Sequence, residues 1–134
     1  MTFVDSNVLL DLLTDDPAWA DWSIRRLEMA AADGSLCIDP AVYAEVSVRV
    51  SRIESLNAWL DALRISLVAT PRAALFLAGK AFAGYRAAGG ARTGVLPDFF
   101  IGAHAAVAGR PLLTRDRGRF ATYFPTLELI APGA

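Results

Sequence analysis

Residues 2–10 read Thr-Phe-Val-Asp-Ser-Asn-Val-Leu-Leu, so a short apolar run ends at an acidic residue. The run Thr2–Val4 has the length and the apolar character of a buried strand. Asp5 and the polar Ser6 and Asn7 are residue types that begin helices. The opening of the chain therefore predicts a strand that leads directly into a helix, with a carboxylate where the strand ends.

Strand and helix signals alternate in the same way along the rest of the chain. Four further apolar runs predict strands: Leu36–Ile38, Ile65–Val68, Pro111–Thr114 and Leu127–Ile130. A capping residue before proline indicates helix starts in three pairs: Asp16-Pro17, Asp39-Pro40 and Thr70-Pro71. The alternation predicts a three-layer α/β/α fold with a central parallel sheet of about five strands.

The helices can be bounded approximately from the same signals. They are expected from Pro17 to Gly34, from Pro40 to about Arg52, from Ser55 to Leu63, from Pro71 to Gly89 and over Phe99–Ala108. Gly109 is expected to end the last of them, because glycine readily takes the left-handed conformation that follows a helix.

The composition is that of one folded domain spanning residues 1–134. Apolar residues make up 54% of the sequence and charged residues 20%, which provides enough apolar surface for a core and excludes a disordered chain. No apolar run is long enough to span a membrane, and the start of the sequence lacks the pattern of a signal peptide. Cys37 is the only cysteine, so no internal disulfide can form, and we expect a cytoplasmic protein.

Four acidic residues, called the four acids below, fall where a parallel sheet would bring them together. Asp5 follows the first predicted strand, and Asp116 comes shortly after the fourth. Glu45 lies in the helix after the second strand, and Asp98 begins the last long helix. Because ligands of open parallel sheets bind at the carboxyl ends of the strands, the four acids are predicted to share one cleft.

Carboxylates gathered in one cleft need a counter-charge. Two carboxylates ~4 Å apart repel by about 4 kcal/mol at an effective dielectric of 20. They can take up protons or bind divalent cations, and ligands that are all oxygen suit Mg²⁺ or Mn²⁺ better than zinc. Such an ion activates water and neutralises charge in phosphodiester hydrolysis. The four acids therefore predict metal-dependent hydrolysis of a phosphodiester.

Each acid also has a structural interpretation. Asp5 and Asp98 can serve as helix caps, Asp116 as a turn residue and Glu45 as a solvated helix position. A non-catalytic α/β interaction module therefore stays open. A phosphorylated receiver-like signalling domain is a further alternative, but it would need an acidic pair after the first strand and a lysine after the last one. The only lysine, Lys80, falls in a predicted helix.

Taken together and in this order, the residues resemble the PIN domain, and the VapC-type toxins of bacterial toxin–antitoxin pairs in particular. The segments that carry the resemblance are Phe3–Leu10, Glu45, Leu96–Ile101 and Leu113–Asp116. The resemblance runs from the first strand to Pro125–Ile130, and the spacing of its four parts is its most specific feature. It implies a parallel five-stranded sheet and an Mg²⁺- or Mn²⁺-dependent endoribonuclease that cleaves RNA.

The resemblance also implies individual roles and partners. The catalytic, metal-binding cluster of the family matches the four acids, and two positions that support the cluster by hydrogen bonds match Asn7 and Thr114. Toxins of this type form homodimers, and a cognate antitoxin whose tail lies over the site holds them inactive.

Arginine supplies 12 of the 13 basic residues, although the formal net charge is −1. Its guanidinium binds phosphate with two hydrogen bonds. Four arginines near Asp98 and Asp116 are predicted to bind the substrate: Arg92, Arg115, Arg117 and Arg119. The alternative is that these arginines only keep the surface soluble or pair with Asp116.

Other polar residues are expected to be structural. Asp11, Asp15 and Asp16 are expected at the surface or as caps, because their helix would carry them away from the cleft. His104 stands in an apolar helix and is expected to be structural rather than a catalytic base, since metal-bound water needs no histidine.

Overall fold

A computed structural model describes residues 1–90 and 94–133 of the chain. The strands within these residues are β1 (Thr2–Val4), β2 (Leu36–Ile38), β3 (Ile65–Leu67), β4 (Leu112–Leu113) and β5 (Leu129–Ile130). They form one sheet in the order β3-β2-β1-β4-β5, and every neighbouring pair is parallel. The predicted parallel sheet of five strands is therefore confirmed.

Helices connect the strands, as parallel pairing requires. Those in the described residues are α1 (Ser6–Thr14), α2 (Ala20–Asp33), α3 (Pro40–Ser47), α4 (Ile53–Ala62), α5 (Arg72–Ala87), α6 (Leu96–Ala108) and α7 (Gly118–Tyr123). Together with the sheet they form the predicted three-layer α/β/α fold. The strand order differs from the order 2-1-3-4-5 of receiver-like domains, so the receiver alternative is wrong.

The centre of the sheet is β1, which is also where the direction of winding changes. Phe3 is paired with Cys37 of β2 on one side and with Leu112 of β4 on the other. The chain builds β2 and β3 to one side of β1 and then crosses over to build β4 and β5 on the other. A crevice forms at the carboxyl ends of the strands where the order reverses in this way, and here that point is the end of β1 and β4.

The core lies on both faces of the inner strands. Phe3, Val4 and Ile38 are at most 1% exposed, which explains why the short strands are apolar throughout instead of alternating. On α6, Gly102 allows the rings of α7 and the residue after it to come close, because a Cβ at this position would lie 2.5 Å from the ring of Phe124. The close approach fixes α7 against α6, and both helices carry residues of the candidate site.

Some predicted boundaries are wrong, and local hydrogen bonds explain why. The helix expected at Pro17 begins at Ala20, because Asp16 accepts hydrogen bonds from the backbone N–H groups of Ala18 and Trp19 and so caps a separate turn. Thr70 does not cap α5, since its hydroxyl donates to Asp39 instead.

Other boundaries differ for reasons of length and pattern. The third helix ends at Ser47 rather than near Arg52, and α7 was not predicted, because its six residues are too short for a clear period. Gly109 follows α6 with φ of 64°, as predicted. In the described part of the chain, no helix combines the length and the apolar character that a bilayer span requires.

Candidate active site

Asp5 stands at the carboxyl end of β1 and is 3% exposed. One of its carboxylate oxygens, Oδ1, accepts the backbone N–H of Ser6 at 2.7 Å, so Asp5 caps α1. The other oxygen, Oδ2, accepts the hydroxyl of Thr114 at 2.7 Å. The capping interpretation and the site interpretation of Asp5 are therefore compatible, because one carboxylate makes both sets of contacts.

Ser6 connects Asp5 to the second of the four acids. Its hydroxyl donates to Oε1 of Glu45 at 2.8 Å and lies 3.4 Å from Oδ1 of Asp5. The shorter distance assigns the proton to Glu45. The helix α3 thus presents Glu45 toward the end of β1, as the sequence predicted. The part played by Ser6 was not predicted, and its position directly after Asp5 is the only sequence signal for it.

Asp98 lies in the first turn of α6, where it is half-buried. Its Oδ2 accepts a hydrogen bond from Nη1 of Arg119 at 2.5 Å. The guanidinium of Arg119 also lies over the ring of Tyr85, 5.4 Å from the ring centre. Arg119 therefore stands between α5, α6 and α7 with its charge directed at Asp98.

Asp116 is the most exposed of the four acids and closes the turn that leads into α7. Its Oδ1 accepts the backbone N–H of Gly118 at 3.1 Å, and its own N–H donates to the hydroxyl oxygen of Thr114 at 3.0 Å. The turn interpretation thus describes its local contacts correctly. The same turn places Asp116 beside Thr114, which contacts Asp5.

Thr114 and Asn7 form the hydrogen-bonded support that the resemblance implied. The hydroxyl of Thr114 donates to Asp5 and accepts from Asp116 and from Nδ2 of Asn7, the last at 3.3 Å. The amide oxygen of Asn7 in turn accepts the backbone N–H of Arg115 at 3.2 Å. These contacts join the end of β1 to the loop after β4, which is the point where the strand order reverses.

The electrostatics show that the acids affect one another. Burial raises the pKa of Asp5 to about 7; the hydrogen bond from Thr114 opposes this rise, and the charges of Asp98 and Glu45 add to it. Burial is also the main cause of the raised pKa of Asp98, where Arg119 opposes the rise and Glu45 and Asp116 add to it. The charges of Asp98 and Glu45 thus act on Asp5, and those of Glu45 and Asp116 act on Asp98, which places the four acids near one another. Their sharing of one ion stays a prediction.

As they lie, the carboxylates are not arranged as a ready set of metal ligands. Within residues 1–90 and 94–133, no three Asp, Glu, His or Cys side chains are placed so that they could hold one ion. Each of the four acids instead accepts a hydrogen bond from the protein. Thr114 donates to Asp5 and Ser6 donates to Glu45. A backbone N–H donates to Asp116, and Arg119 donates to Asp98. In chemical type the set nevertheless fits a hard divalent cation, because all its donors are carboxylate oxygens.

Arg115 is engaged with a buried aspartate. Its Nε and Nη2 donate to the two carboxylate oxygens of Asp11 at 2.8 and 2.9 Å, and Ser23 donates to the same carboxylate at 2.7 Å. Asp11 is 2% exposed, so the expectation of a surface or cap position for Asp11 is wrong. Arg115 comes from a loop 104 residues later in the chain, so no local pattern could reveal the pair. A phosphate contact by Arg115 would have to compete with Asp11.

The other predicted arginines differ in their surroundings. Arg117 is exposed, and within residues 1–90 and 94–133 its guanidinium makes only long contacts of 3.5 Å, to the carbonyl oxygens of Ala131 and Gly133. Arg92 lies outside the described residues. Substrate binding by these arginines stays a prediction.

A second buried polar cluster lies at the end of β2. Asp39 caps α3 through the N–H of Ala41 at 2.7 Å, and its Oδ2 lies 2.7 Å from Nδ1 of His104 and accepts the hydroxyl of Thr70 at 2.7 Å. Asp39 and His104 are 2% and 3% exposed. The pair connects α3, which carries Glu45, to α6. These contacts agree with a structural role for His104, but its partner could not be identified from the sequence.

Comparisons with known proteins agree with the observed fold. A family model described as PIN domain matches residues 2–123 of the chain. No curated protein sequence matches the chain at a significant level.

Solved structures match over nearly the whole chain at low sequence identity. VapBC2 from Rickettsia felis, bound to a DNA fragment from its promoter, is 20% identical, with a TM-score of 0.72 and coverage of 97% of each chain. A toxin–antitoxin complex from Klebsiella pneumoniae is 21% identical, with a TM-score of 0.71 and coverage of 99% of this chain and 98% of that one. FitAcB from Neisseria gonorrhoeae is 18% identical, with a TM-score of 0.67 and coverage of 96% of each chain. At these identities the similarity shows a shared fold.

Proposed function

The chain belongs to the PIN domain family, and on that premise we propose that it is a divalent-metal-dependent endoribonuclease and the toxin of a toxin–antitoxin pair. The observation that carries the proposal is the environment of Asp5. This carboxylate is 3% exposed, and the charges that act on it most from other acids are those of Asp98 and Glu45. A fold that keeps acids together at such a cost is best explained by a cation that they bind during function.

The four acids would hold the ion, with Asp5 as its most buried ligand. Mg²⁺ and Mn²⁺ suit this set better than zinc, because the set contains neither sulfur nor imidazole. When bound, such an ion lowers the pKa of water and neutralises negative charge on phosphate oxygens. Asp98 would reach the ion with its Oδ1, or with Oδ2 if Arg119 moves away.

The hydroxyl and amide groups around the acids hold them in place for this task. Thr114 donates to Asp5 and Ser6 donates to Glu45, which leaves the remaining lone pairs of these carboxylates available. Asn7 orients Thr114 and the loop after β4 together. We propose that these residues act as positioning residues and do not contact the substrate.

The substrate we propose is RNA, held through its phosphates. Arg117 is exposed next to Asp116, and Arg119 points at Asp98, so two guanidinium groups stand beside the acids. Arg92 and Arg115 complete the predicted set. Phosphate contacts of this kind fix the position of a strand without reading its sequence.

The partner we propose is a cognate antitoxin. The similar structures named above include complexes of a toxin with its antitoxin, and this chain spans nearly the full length of the matched chains. Release of the toxin from such a partner would then control when RNA is cleaved.

We also propose a homodimer. Val48, directly after α3, and Leu75 on α5 line one groove of about 550 Å³, and Phe76, the residue after Leu75, is 69% exposed. An exposed apolar face of this kind is typical of an interface between chains. Sedimentation of the purified chain should give a dimer, and Val48→Glu combined with Phe76→Glu should give a monomer. A wild-type monomer at all concentrations would contradict this part of the proposal.

RNA cleavage by matched variants tests the proposed activity. Wild type should cleave single-stranded RNA only when Mg²⁺ or Mn²⁺ is present, and Asp5→Asn should lose activity by about a thousandfold or more while it keeps its fold. Asp21→Asn, which removes the same charge from an exposed position on α2, is the control and should cleave like wild type. Cleavage without a divalent ion, or equal cleavage by Asp5→Asn, would contradict the proposal.

A further inference from the structure

Among the described residues, Arg119 is the positive side chain in direct contact with one of the four acids. Its Nη1 lies 2.5 Å from Oδ2 of Asp98, and the two side chains are 16% and 28% exposed. This contact is a charge-assisted hydrogen bond, the stronger kind, and it involves one of the two carboxylate oxygens. The resting contact of Arg119 therefore places a positive charge directly beside a candidate ligand of the proposed metal site.

The position of Arg119 is set by the fold around it. Its guanidinium lies over the ring of Tyr85 at 5.4 Å, and that ring packs 5.5 Å from the ring of Phe99, the residue after Asp98. The next residue, Phe120, is 1% exposed and anchors α7 in the core. The backbone of Arg119 is thus fixed, while its long side chain can move between contacts above the ring of Tyr85.

The contrast with Arg115 indicates which arginine is free to exchange partners. Arg115 uses two nitrogens to hold both oxygens of Asp11, which is 2% exposed. Within the described part of the chain, the guanidinium of Arg119 makes one hydrogen bond, to Asp98. A guanidinium has five N–H donors, so most of those of Arg119 remain available to a phosphate.

We propose that Arg119 is an exchangeable counter-cation, which neutralises Asp98 while no divalent ion is bound and contacts an RNA phosphate once an ion has taken Asp98. The reason is that Arg119 cannot lose its proton, so a divalent ion beside Asp98 and the guanidinium repel each other. A phosphate of the substrate would supply a negative group to which the displaced guanidinium can bind. This inference rests on the proposed function and adds a role for Arg119 in ordering metal and substrate binding.

Metal affinity without RNA provides the first half of the test. Mn²⁺ is titrated into wild type, Arg119→Gln and the control Arg86→Gln, which removes an equal charge from an exposed position beside Tyr85. Arg119→Gln should bind Mn²⁺ about tenfold more tightly than wild type, because the competing cation is gone. The affinity of Arg86→Gln should stay within about twofold of wild type.

RNA affinity at saturating metal provides the second half. The protein is titrated into a fluorescent single-stranded RNA in a buffer that contains Ca²⁺ in place of Mn²⁺. Electrophoresis verifies that the strand stays intact. Arg119→Gln should bind this RNA more weakly than wild type, and the slope of log affinity against log salt should fall by about 0.7, the value for one phosphate contact on a single strand. Arg119→Lys, which keeps the charge, should restore most of the affinity.

Opposite changes in the two affinities would support the exchange, since a general loss of structure would weaken both. Unchanged or weaker Mn²⁺ binding by Arg119→Gln would overturn it, even where wild type binds Mn²⁺ and cleaves RNA, and the proposed function would then stand alone. Absence of Mn²⁺ binding in wild type and all variants would overturn both proposals. Arg119→Met, whose side chain also covers the ring of Tyr85, serves as the second variant if Arg119→Gln does not fold.

Discussion

Asp5 and Asp39 occupy equivalent places in neighbouring strands and have opposite surroundings. Each directly follows its strand, β1 or β2, each caps the next helix, and they are 3% and 2% exposed. Around Asp39 the fold gathers donors: Thr70, His104 and the N–H of Ala41, each 2.7 Å away. Around Asp5 the fold provides two donors, the N–H of Ser6 and the hydroxyl of Thr114, and it also places the charges of Asp98 and Glu45 nearby.

The difference separates a structural carboxylate from a candidate functional one. Burial and helix capping are common to both residues, so neither property identifies a site. What distinguishes Asp5 is that negative charge from Asp98 and Glu45 adds to its burial, and burial is the larger cause of the rise of its pKa to about 7. Asp11, the third buried aspartate, belongs with Asp39 to the structural carboxylates, because Arg115 neutralises it.

The largest expected effect is the pH dependence that Asp5 gives to the metal-free protein. Its pKa rises from 3.8 to about 7 on folding, which corresponds to about 4 kcal/mol. The associated stability is fully present below pH 3.8 and is lost as the pH rises toward 7, because the unfolded chain ionises first. In EDTA, the free energy of unfolding of Asp5→Asn minus that of wild type should therefore increase as the pH is raised from 4 to 7. A constant difference in the free energy of unfolding between the two proteins across this range would contradict the raised pKa of Asp5.

The next effect comes from removing the imidazole that contacts Asp39. His104→Leu leaves a buried carboxylate with fewer donors and should lower the free energy of unfolding by about 3 kcal/mol. His104→Asn, whose amide can replace the donor at Nδ1, should recover part of the loss. Urea unfolding at pH 7 measures both. A cost below about 1 kcal/mol for His104→Leu would remove the distinction between Asp39 and Asp5.

A smaller loss is expected where the neutralising partner is partly exposed. Arg115→Met removes both hydrogen bonds to Asp11 but leaves that of Ser23, and the Arg115 side chain is 30% exposed. The free energy of unfolding should fall by about 2 kcal/mol, after allowance for solvent screening. The double variant Arg115→Met with Asp11→Asn should be more stable than Arg115→Met alone. If it were equally stable, the pair would not be coupled.

The smallest effect is expected at Ser6. Ser6→Ala removes the hydrogen bond to Glu45, which is half-buried and can be solvated, so the cost in stability should be about 1 kcal/mol. Cleavage should fall more than stability does, because Glu45 loses its orientation. Ser47→Ala is a suitable control, since the hydroxyl of Ser47 bonds only to a carbonyl oxygen within α3. Equal cleavage by Ser6→Ala and wild type would show that Ser6 does not position Glu45.

The sequence predicted the features that depend on neighbouring residues. The apolar runs, the Asp39-Pro40 cap and the ending of α6 at Gly109 are local, and they sufficed for the parallel α/β/α fold. The gathering of Asp5 and Glu45 at one edge followed from the topology of parallel sheets. Because that rule needs only element order, the candidate site could be predicted before any distance was known.

The features that the sequence did not reveal depend on residues far apart in the chain. His104 meets Asp39 across 65 positions, and Arg115 meets Asp11 across 104. Asp39 follows its strand just as Asp5 does, and nothing near Asp39 or Asp11 in the sequence indicates these distant partners. The contact of Arg119 with Asp98 likewise spans 21 positions and required the unpredicted helix α7.

The most direct test of the account is anomalous scattering from crystals of the wild-type protein grown with Mn²⁺. We expect a manganese peak in contact with the carboxylate of Asp5 and with at least one of Glu45, Asp98 and Asp116. We also expect the peak to be absent from crystals of Asp5→Asn. Manganese bound only elsewhere, or bound equally in both crystals, would contradict the claim that these acids are gathered to hold a metal ion.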